Sequence, residues 1–587
     1  MITRREFFKL GGLSLVVVQT LGGFKLVKGS SLTRHSPKLW INLSEDNILT
    51  VLVNKSEMGQ GVYTGIAQIV ADELDFPWEK VRVLPAPARK EYIDPYMGFQ
   101  LTGGSTSIRH MFEIMRSAGA AMRSMLRKSA SLLWRVPQEE IVAKEGYIHH
   151  PQSGKKEPYG RFVSHASKLP VPLYPPLKKP EEFIYIGKSV PRIDLEDKVS
   201  GKAAFGMDHF FEDNLYAVIE RPPFGSRAIS FNAEEVKRLE GITHVLKVGE
   251  GVAVCGRSPY AVLKAREKLK VKWSRGESYD DDFLEKHYLS LLKKRGLVAR
   301  SEGNVAKELK RSSSVEATYL LPYLYHACME TMACTVSVSK DECVIYVPTQ
   351  SQTWVLREAK RITGLPENRI KVITTYLGGG LGRKSNKEFV SEAIKLSKLT
   401  GRPVKLFYTR EDDVRAGWFR PMVTASLKGS VDSGGTPTAL WFKIVAPAVF
   451  EWATGKRRRG VDRAAVSGVV DTFYDIPNLR VEFVKSEVRI PVWFWRSVGH
   501  SHNAYIIETF LDRLAALGNR DPVDVRLSLL EFHPRAYRVV EEVARRSGWH
   551  RGPRDGQALG IAYHYSFGTH VAQVAEVSLE KGRVKVH

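Results

Sequence analysis

The sequence predicts a multidomain α+β protein. Three observations lead there. The chain has 587 residues, more than one hydrophobic core can organise. Strand-like runs of β-branched residues alternate with helix-period stretches along most of it. Residues 151–182, with Pro170, Pro172, Pro175, Pro176 and Pro180, read as a linker between such units.

The elements follow in order. Residues 1–35 form a signal region and residues 36–150 a first α/β unit. In that unit Ile48–Asn54 reads as a strand, and Thr64–Leu74 as a helix with Ile66, Ile69, Val70 and Leu74 on one stripe. Val81–Leu84 is a short strand. Ser107–Leu133 is a long helical run with small Ala and Gly where it can pack closely. Residues 183–275 alternate strands with short helices. Ser258–Leu269 fits a helix, because Pro259 falls in its first turn, where a missing N–H costs nothing. Residues 276–535 form a second large unit. Its first part, to residue 320, is charged and polar and reads as a surface connection containing a helix. Residues 536–587 end in a strand pattern, Val571–Leu579 and then Val584–Val586. A strand pair needs further strands to bury it, so this last unit is expected to be the start of a truncated domain.

Composition narrows the function. Hydrophobic residues make up 43% and aromatics 10%, which is globular and neither disordered nor fibrous. The four cysteines, Cys255, Cys328, Cys334 and Cys343, lack the C-x2-C spacing of zinc or iron–sulfur sites. A disulfide framework is not expected in so large a chain. Any redox centre is therefore a bound organic cofactor or sits on a partner. The net charge of +24 favours anionic partners in general. The basic residues are spread along the chain, however, and the one cluster, Lys456–Arg459, reads as an exposed loop. Without zinc-finger spacing or an RNP-type motif, nucleic acid is not an expected partner.

The N-terminus reads Thr3-Arg4-Arg5-Glu6-Phe7-Phe8-Lys9, followed by an apolar, Gly-containing stretch from Leu10 to Phe24. A twin arginine before a modest apolar run is the pattern of bacterial twin-arginine export. Gly11, Gly12, Gln19, Gly22 and Gly23 interrupt the run and make it a poor membrane anchor. A periplasmic or membrane-associated location is expected.

Four segments carry candidate chemistry. Ser56-Glu57-Met58-Gly59-Gln60-Gly61 joins a strand to a helix start, where glycines admit a ligand and the first helix amides face it as an anion site. Thr102-Gly103-Gly104-Ser105 stands before the long helix and combines hydroxyls, glycines and helix-start amides, which suits phosphate. Leu377-Gly378-Gly379-Gly380-Leu381-Gly382-Arg383-Lys384 follows a strand. Arg383 stands between the last glycine and Lys384, so the loop is not a P-loop, and the glycine spacing fails the Rossmann fingerprint. Phe494-Trp495-Arg496-Ser497 precedes a helix expected over Ala504–Leu517. Taken singly, each also fits an ordinary turn, a helix cap or core packing.

Together, and in this order, the four segments resemble the large subunits of the xanthine dehydrogenase and aldehyde oxidase family. The arrangement is similar to the isoquinoline 1-oxidoreductase β-subunit branch. Further matching stretches are Ile186–Lys188, Pro191–Asp194, Val199–Lys202, His326–Glu330, Pro348–Ser351 and Ser566–His570. The resemblance implies molybdopterin-binding α/β domains at 36–150 and 276–535, an α/β-hammerhead domain at 183–275, and a second molybdopterin-binding domain begun at 536–587. It implies that Gln350 hydrogen-bonds an oxygen ligand of the molybdenum. It places the backbone N–H groups of Leu381, Gly104 and Arg496 towards the metal centre, with Leu381 where the family usually has Phe. Gly59, Gln60 and Gly61, the Thr102, Gly103, Gly104 and Ser105 loop, and Gly379, Gly380 and Gly382 would hold the pterin and its phosphates. The implied cofactor is molybdopterin cytosine dinucleotide. The dithiolene holds the metal, so no protein metal ligand is expected.

Two departures stand out. Where some members carry a substrate-orienting Glu, this chain has Lys384-Ser385-Asn386. The family's general base, a Glu in a late G-x-G-E segment, has no counterpart before His587. A positioned base commonly supplies factors of about 10²–10⁴, so no catalytic residue is expected on this chain alone. The implied function is hydroxylation of an N-heterocycle or oxidation of an aldehyde with water as oxygen source. Electrons would leave through a small iron–sulfur subunit, and another chain would supply the remaining C-terminal segment. The alternatives are a truncated, non-catalytic cofactor-binding or assembly subunit and a defunct product.

Overall fold

The computed structural model describes residues 12–20, 23–28 and 40–587. Arg4 and Arg5 lie outside the described residues. The first unit is built from β1 (Gly12–Thr20), β2 (Gly23–Lys28), β3 (Ile41–Ser44), β4 (Leu49–Val53), α1 (Val62–Leu74), β5 (Val81–Pro85) and α2 (Thr106–Trp134). The strands form one sheet in the order β2-β1-β3-β4-β5. Only the β4–β5 pair is parallel, as a connection through α1 requires. Strands β3 and β4 are buried on both faces, and α1 packs Ile66, Val70 and Leu74 into the same core as Met115, Ala118 and Met122 of α2. The two helices touch at Gly119, where an added Cβ would lie 2.9 Å from Val70 O. Part of the apolar stretch assigned to the signal region forms the β1–β2 hairpin, and β1 pairs with β3. The expected linker holds a helix, Gly160–Ala166, that buries Phe162, Val163 and Ala166 in this core.

From residue 215 the chain interleaves two larger sheets. It forms β6 (Leu215–Glu220), β7 (Ile242–Val248), β8 (Gly251–Gly256), β9 (Leu297–Glu302), β10 (Ser313–Leu321), β11 (Ala333–Val338) and β12 (Cys343–Val347). Next come α3 (Gln352–Thr363), β13 (Ile370–Thr374), α4 (Glu388–Thr400), β14 (Val404–Phe407), β15 (Val423–Val431) and β16 (Pro437–Ala446). Then follow α5 (Val449–Thr454), β17 (Asn478–Lys485), α6 (His500–Leu517), α7 (Pro534–Ser547), β18 (Gln557–Ser566), β19 (Thr569–Glu580) and β20 (Arg583–Val586).

One sheet runs β7-β8-β6-β14-β11-β12-β13. Its parallel β6–β14 pair, Leu215 beside Val404, carries the sheet across the boundary expected at residue 275. The other sheet runs β9-β17-β16-β15-β10, and α6 covers it with Ile507, Phe510 and Leu514. Residues 276–320, expected as a surface connection, supply both edge strands of this sheet. In β10 exposed residues alternate with half-buried ones, so a charged composition conceals a strand whose polar face meets water. Strands β18, β19 and β20 form an antiparallel sheet at the end of the chain.

Candidate cofactor site

Beyond β4 the chain turns through Gly59 and Gly61, with φ of +106° and +81°, values open to glycine. Buried Glu57 folds back into this turn. Its Oε1 accepts from Gly59 N at 2.9 Å and Gly61 N at 3.1 Å, and its Oε2 accepts from Tyr63 N at 3.1 Å. Arg192 donates to Glu57 at 3.3 Å, and Lys198 stands 3.7 Å away. The expected anion site at the start of α1 is therefore filled by the chain's own carboxylate. Counting free helix amides missed this, because the occupant comes from the same turn. Gln60 is also used locally: its Nε2 donates to Ser56 O at 2.9 Å, and its Oε1 accepts from Met58 N at 2.7 Å.

The second loop is open. Gly104 and Ser105 have φ of +64° and +52°, both are exposed, and Ser105 makes no side-chain cap on α2. Arg109, one turn into α2, donates to Ser105 O at 3.1 Å and Gly104 O at 3.3 Å. An added Cβ at Gly103 or Gly104 would approach only Leu101 or Thr106 side-chain carbons, at 3.7 and 3.6 Å. Free helix-start amides beside a guanidinium can receive a phosphate.

Gln350 ties this loop to the rest. Thr102 N donates to Gln350 O at 2.7 Å, and Gln350 Nε2 donates to Thr102 O at 2.9 Å. Gln350 Oε1 accepts from Gly382 N at 3.0 Å. The first loop joins through Ser56, whose N–H donates to Thr102 Oγ1 at 2.7 Å and whose hydroxyl donates to Thr349 O at 2.7 Å. Three segments expected to share a site are thus hydrogen-bonded to one another.

The glycine loop after β13 is close-packed. A Cβ on Gly380 would meet Gln350 Oε1 at 2.6 Å and Met58 Sδ at 2.7 Å, and one on Gly382 would meet Phe494 O at 1.9 Å. A Cβ on Gly379 would stay 3.7 Å clear of Cys328 and Met329 backbone atoms, its φ being +87°. Leu381 is held left-handed at φ +51°. Its amide has no partner among the described residues, as a backbone role towards a ligand requires. Arg383 and Lys384 turn inward. Buried Arg383 pairs with Glu388, whose carboxyl burial pushes up, and with Asp413 at 3.5 Å. Lys384 pairs at 2.5 Å with Glu330, which also accepts from Gly378 N at 3.0 Å and Gly206 N at 2.7 Å. Glu57 and Glu330 are the site carboxylates that the sequence reading named without a role; each braces a glycine turn.

Phe494–Ser497 forms the remaining wall. Trp493 Nε1 donates to Ser385 Oγ at 2.8 Å, and His326 bridges Trp418 O and Phe494 O at 3.0 and 2.9 Å. Ser497 and Val498 have φ of +73° and +52°, so the turn that presents Arg496 is strained. Arg496 is exposed and makes no ion pair with a described residue.

Two family models, both described as molybdopterin cofactor-binding domain, match residues 292–529 and 3–196. The first takes in Gln350, the glycine loop and Arg496; the second takes in both N-terminal loops. The chain is 28% identical over 613 aligned residues to isoquinoline 1-oxidoreductase subunit beta of Brevundimonas diminuta, covering 94% of this chain and 78% of that one. Its fold is similar to quinoline 2-oxidoreductase from Pseudomonas putida 86, with a TM-score of 0.50 and 16% identity over 68% of this chain and 62% of that one. It is also similar to the aldehyde oxidoreductase from Desulfovibrio desulfuricans, with a TM-score of 0.52 and 16% identity over 64% of this chain and 49% of that one. The chain therefore spans less than two thirds of these solved chains.

Proposed function

The chain belongs to the xanthine dehydrogenase and aldehyde oxidase family of molybdenum-cofactor-binding large subunits, and from that premise we propose that it serves the hydroxylation of an N-heterocycle or the oxidation of an aldehyde, with water as oxygen source. The observation that carries this reading is the junction at Gln350, where one side-chain amide holds the Thr102 loop and the glycine loop together. Around it lie the free Leu381 amide, the open Gly103–Ser105 loop with Arg109, and the exposed Arg496. These fit a pterin dinucleotide. The Gly103–Ser105 amides and Arg109 would receive its phosphates, and the Leu381 N–H and the one Gln350 Nε2 hydrogen not used on Thr102 O would face its metal end. When bound, the group supplies oxygen transfer and takes up the two electrons that leave the substrate. The chain's own residues hold it and fix its orientation, which is where preorganised donors act most strongly.

Within this reading the cofactor is the cytosine dinucleotide form. The electrons pass to a small iron–sulfur subunit, because the buried cysteines Cys255, Cys328, Cys334 and Cys343 are not spaced to ligate a cluster. The protein purified from its source, with everything that co-purifies, should contain molybdenum, iron and acid-releasable cytidine monophosphate. It should place oxygen from labelled water into quinoline or benzaldehyde. Gln350→Ala should lower turnover more than molybdenum content. A folded protein without molybdenum, or a product labelled from dioxygen, overturns the proposal. Export by the twin-arginine route belongs to the same reading. Replacing Arg4 and Arg5 by Lys should retain the protein in the cytoplasm, since a receptor reads the pair and not its charge alone. Undiminished periplasmic delivery of that variant counts against it.

A further inference from the structure

We propose that Lys456–Arg459 is a recruiting rim for an anionic substrate, an aromatic or heteroaromatic carboxylate; this rests on the reading above and narrows it. The four residues are exposed and stand between Gly455 and Gly460, at φ +66° and +118°. Both ends of the loop are fixed to the wall of the site. On one side Phe450 of α5 packs edge-on against Phe494 at 5.2 Å, and Phe494 O lies against Gly382 of the glycine loop. On the other side Asp462 accepts from Phe450 N at 3.0 Å and Ala464 N at 2.7 Å. Ala464 O in turn lies 2.3 Å from where a Cβ on Gly499 would stand. The loop thus leaves the wall beside Phe494 and rejoins it beside Gly499, residues that flank Arg496 in the chain.

Its charge is only partly balanced locally: Asp462 faces Arg458, and Glu451 accepts from Arg458 N at 2.7 Å. Lys456 and Arg459 make no ion pair with a described residue. Arg457 reaches Glu487 only at 3.5 Å, both side chains being exposed, and Glu487 is shared with Lys485. Glu451 also pairs with Lys485, at 3.2 Å. Arg458 lies over the Phe450 ring, 5.4 Å from its centroid. Next to the loop Trp452 of α5 packs edge-on against Trp418 at 5.6 Å, and Trp418 against buried Trp493 at 5.4 Å; the half-buried Phe450, Trp452, Trp418 and Phe494 offer an apolar surface to a planar ring. Excess cations beside an apolar surface concentrate anions there, and salt weakens the effect. A planar ring bearing a carboxylate satisfies both features. An acidic protein surface would use the charge and leave the aromatic wall unexplained.

The test uses the complete protein and two substrates of one shape, 4-formylbenzoate and benzaldehyde. Replacing Lys456, Arg457, Arg458 and Arg459 by Ser should raise KM for 4-formylbenzoate about tenfold more than KM for benzaldehyde. It should also abolish the salt dependence of kcat/KM for the charged substrate. Arg459→Gln alone should give part of this effect. Equal changes for both aldehydes overturn the proposal, as does loss of a co-purifying iron subunit without any change in discrimination. Binding is read separately, through quenching of tryptophan fluorescence by benzoate against benzyl alcohol. Quenching by benzoate that the Ser variant loses supports the rim even if neither aldehyde is oxidised, a result that would count against the proposed reaction alone. Equal quenching of both proteins by benzoate, or none, counts against the rim.

Discussion

At Glu57 one carboxylate does for its own loop what a bound phosphate would do elsewhere. It accepts three backbone N–H groups and faces Arg192 and Lys198, while Asp194 takes the other side of both cations at 3.0 and 2.5 Å. Glu57→Gln keeps the shape and removes the charge. The amide nitrogen cannot accept, so Tyr63 N or the two glycine amides lose their partner in a buried place. Leaving buried groups unpaired in this way costs on the order of 3 kcal/mol. The urea midpoint of the variant should fall accordingly, and Glu57→Asp, too short to span the turn, should lie between it and the wild type. A midpoint unchanged in Glu57→Gln would show that Asp194 alone holds the loop. The sequence made the glycines of this turn legible, because their spacing is local. The role of Glu57 was hidden, because a carboxylate before a glycine turn is equally common as a solvated side chain.

Elements with strong periodicity were legible. The expected helix over Ser107–Leu133 is α2, the expected strand over Val81–Leu84 is β5, and the expected helix over Ser258–Leu269 is Pro259–Glu267, capped by the Ser258 hydroxyl. Helix α6 begins at His500, four residues before the expected start at Ala504. Its first turn carries buried His500, His502 and Asn503, a polar run that apolar periodicity leaves outside the helix. Tertiary bonds hold it in place: Asn503 Nδ2 donates to Ala465 O and Ser467 O, both at 2.8 Å. The edge strands β9 and β10 were illegible for a related reason. An edge needs only one apolar face, and the charged composition of residues 276–320 outweighed that weak alternation. The glycine loop lies between. Its existence was plain, while the reason for each glycine is a neighbour far along the chain, Gln350 for Gly380 and Phe494 for Gly382.

At the scale of the whole molecule, the order of the motifs revealed that they belong together, but the contacts between them span distances no local pattern reaches; Gln350 and Thr102 are 248 residues apart. Buried histidines stand at several of these long-range joints and tie the assembly to pH. His564 of β18 contacts His500 of α6 at 3.0 Å, ring to ring, joining the last sheet to the turn that presents Arg496. Burial pushes the His564 imidazole down to about 4, helped by the neighbouring His500, with Asp471 opposing. His502 is fully buried beside Arg420 and is pushed down to about 3, again chiefly by burial. In the unfolded chain both return to about 6.5. The unfolded state therefore binds more protons between these values, and stability rises with pH. The stabilisation is complete above pH 6.5 and is lost as pH falls towards 4, each group accounting for on the order of 3 kcal/mol. Carboxylates held low, such as Glu358 at about 2, act in a separate and more acidic window. The urea midpoint should drop steeply from pH 7 to 5. His564→Gln, which keeps an acceptor for His500 and cannot be protonated, should flatten part of that slope. A midpoint constant across this range, or a variant with the wild-type slope, would remove the histidine joint as the cause.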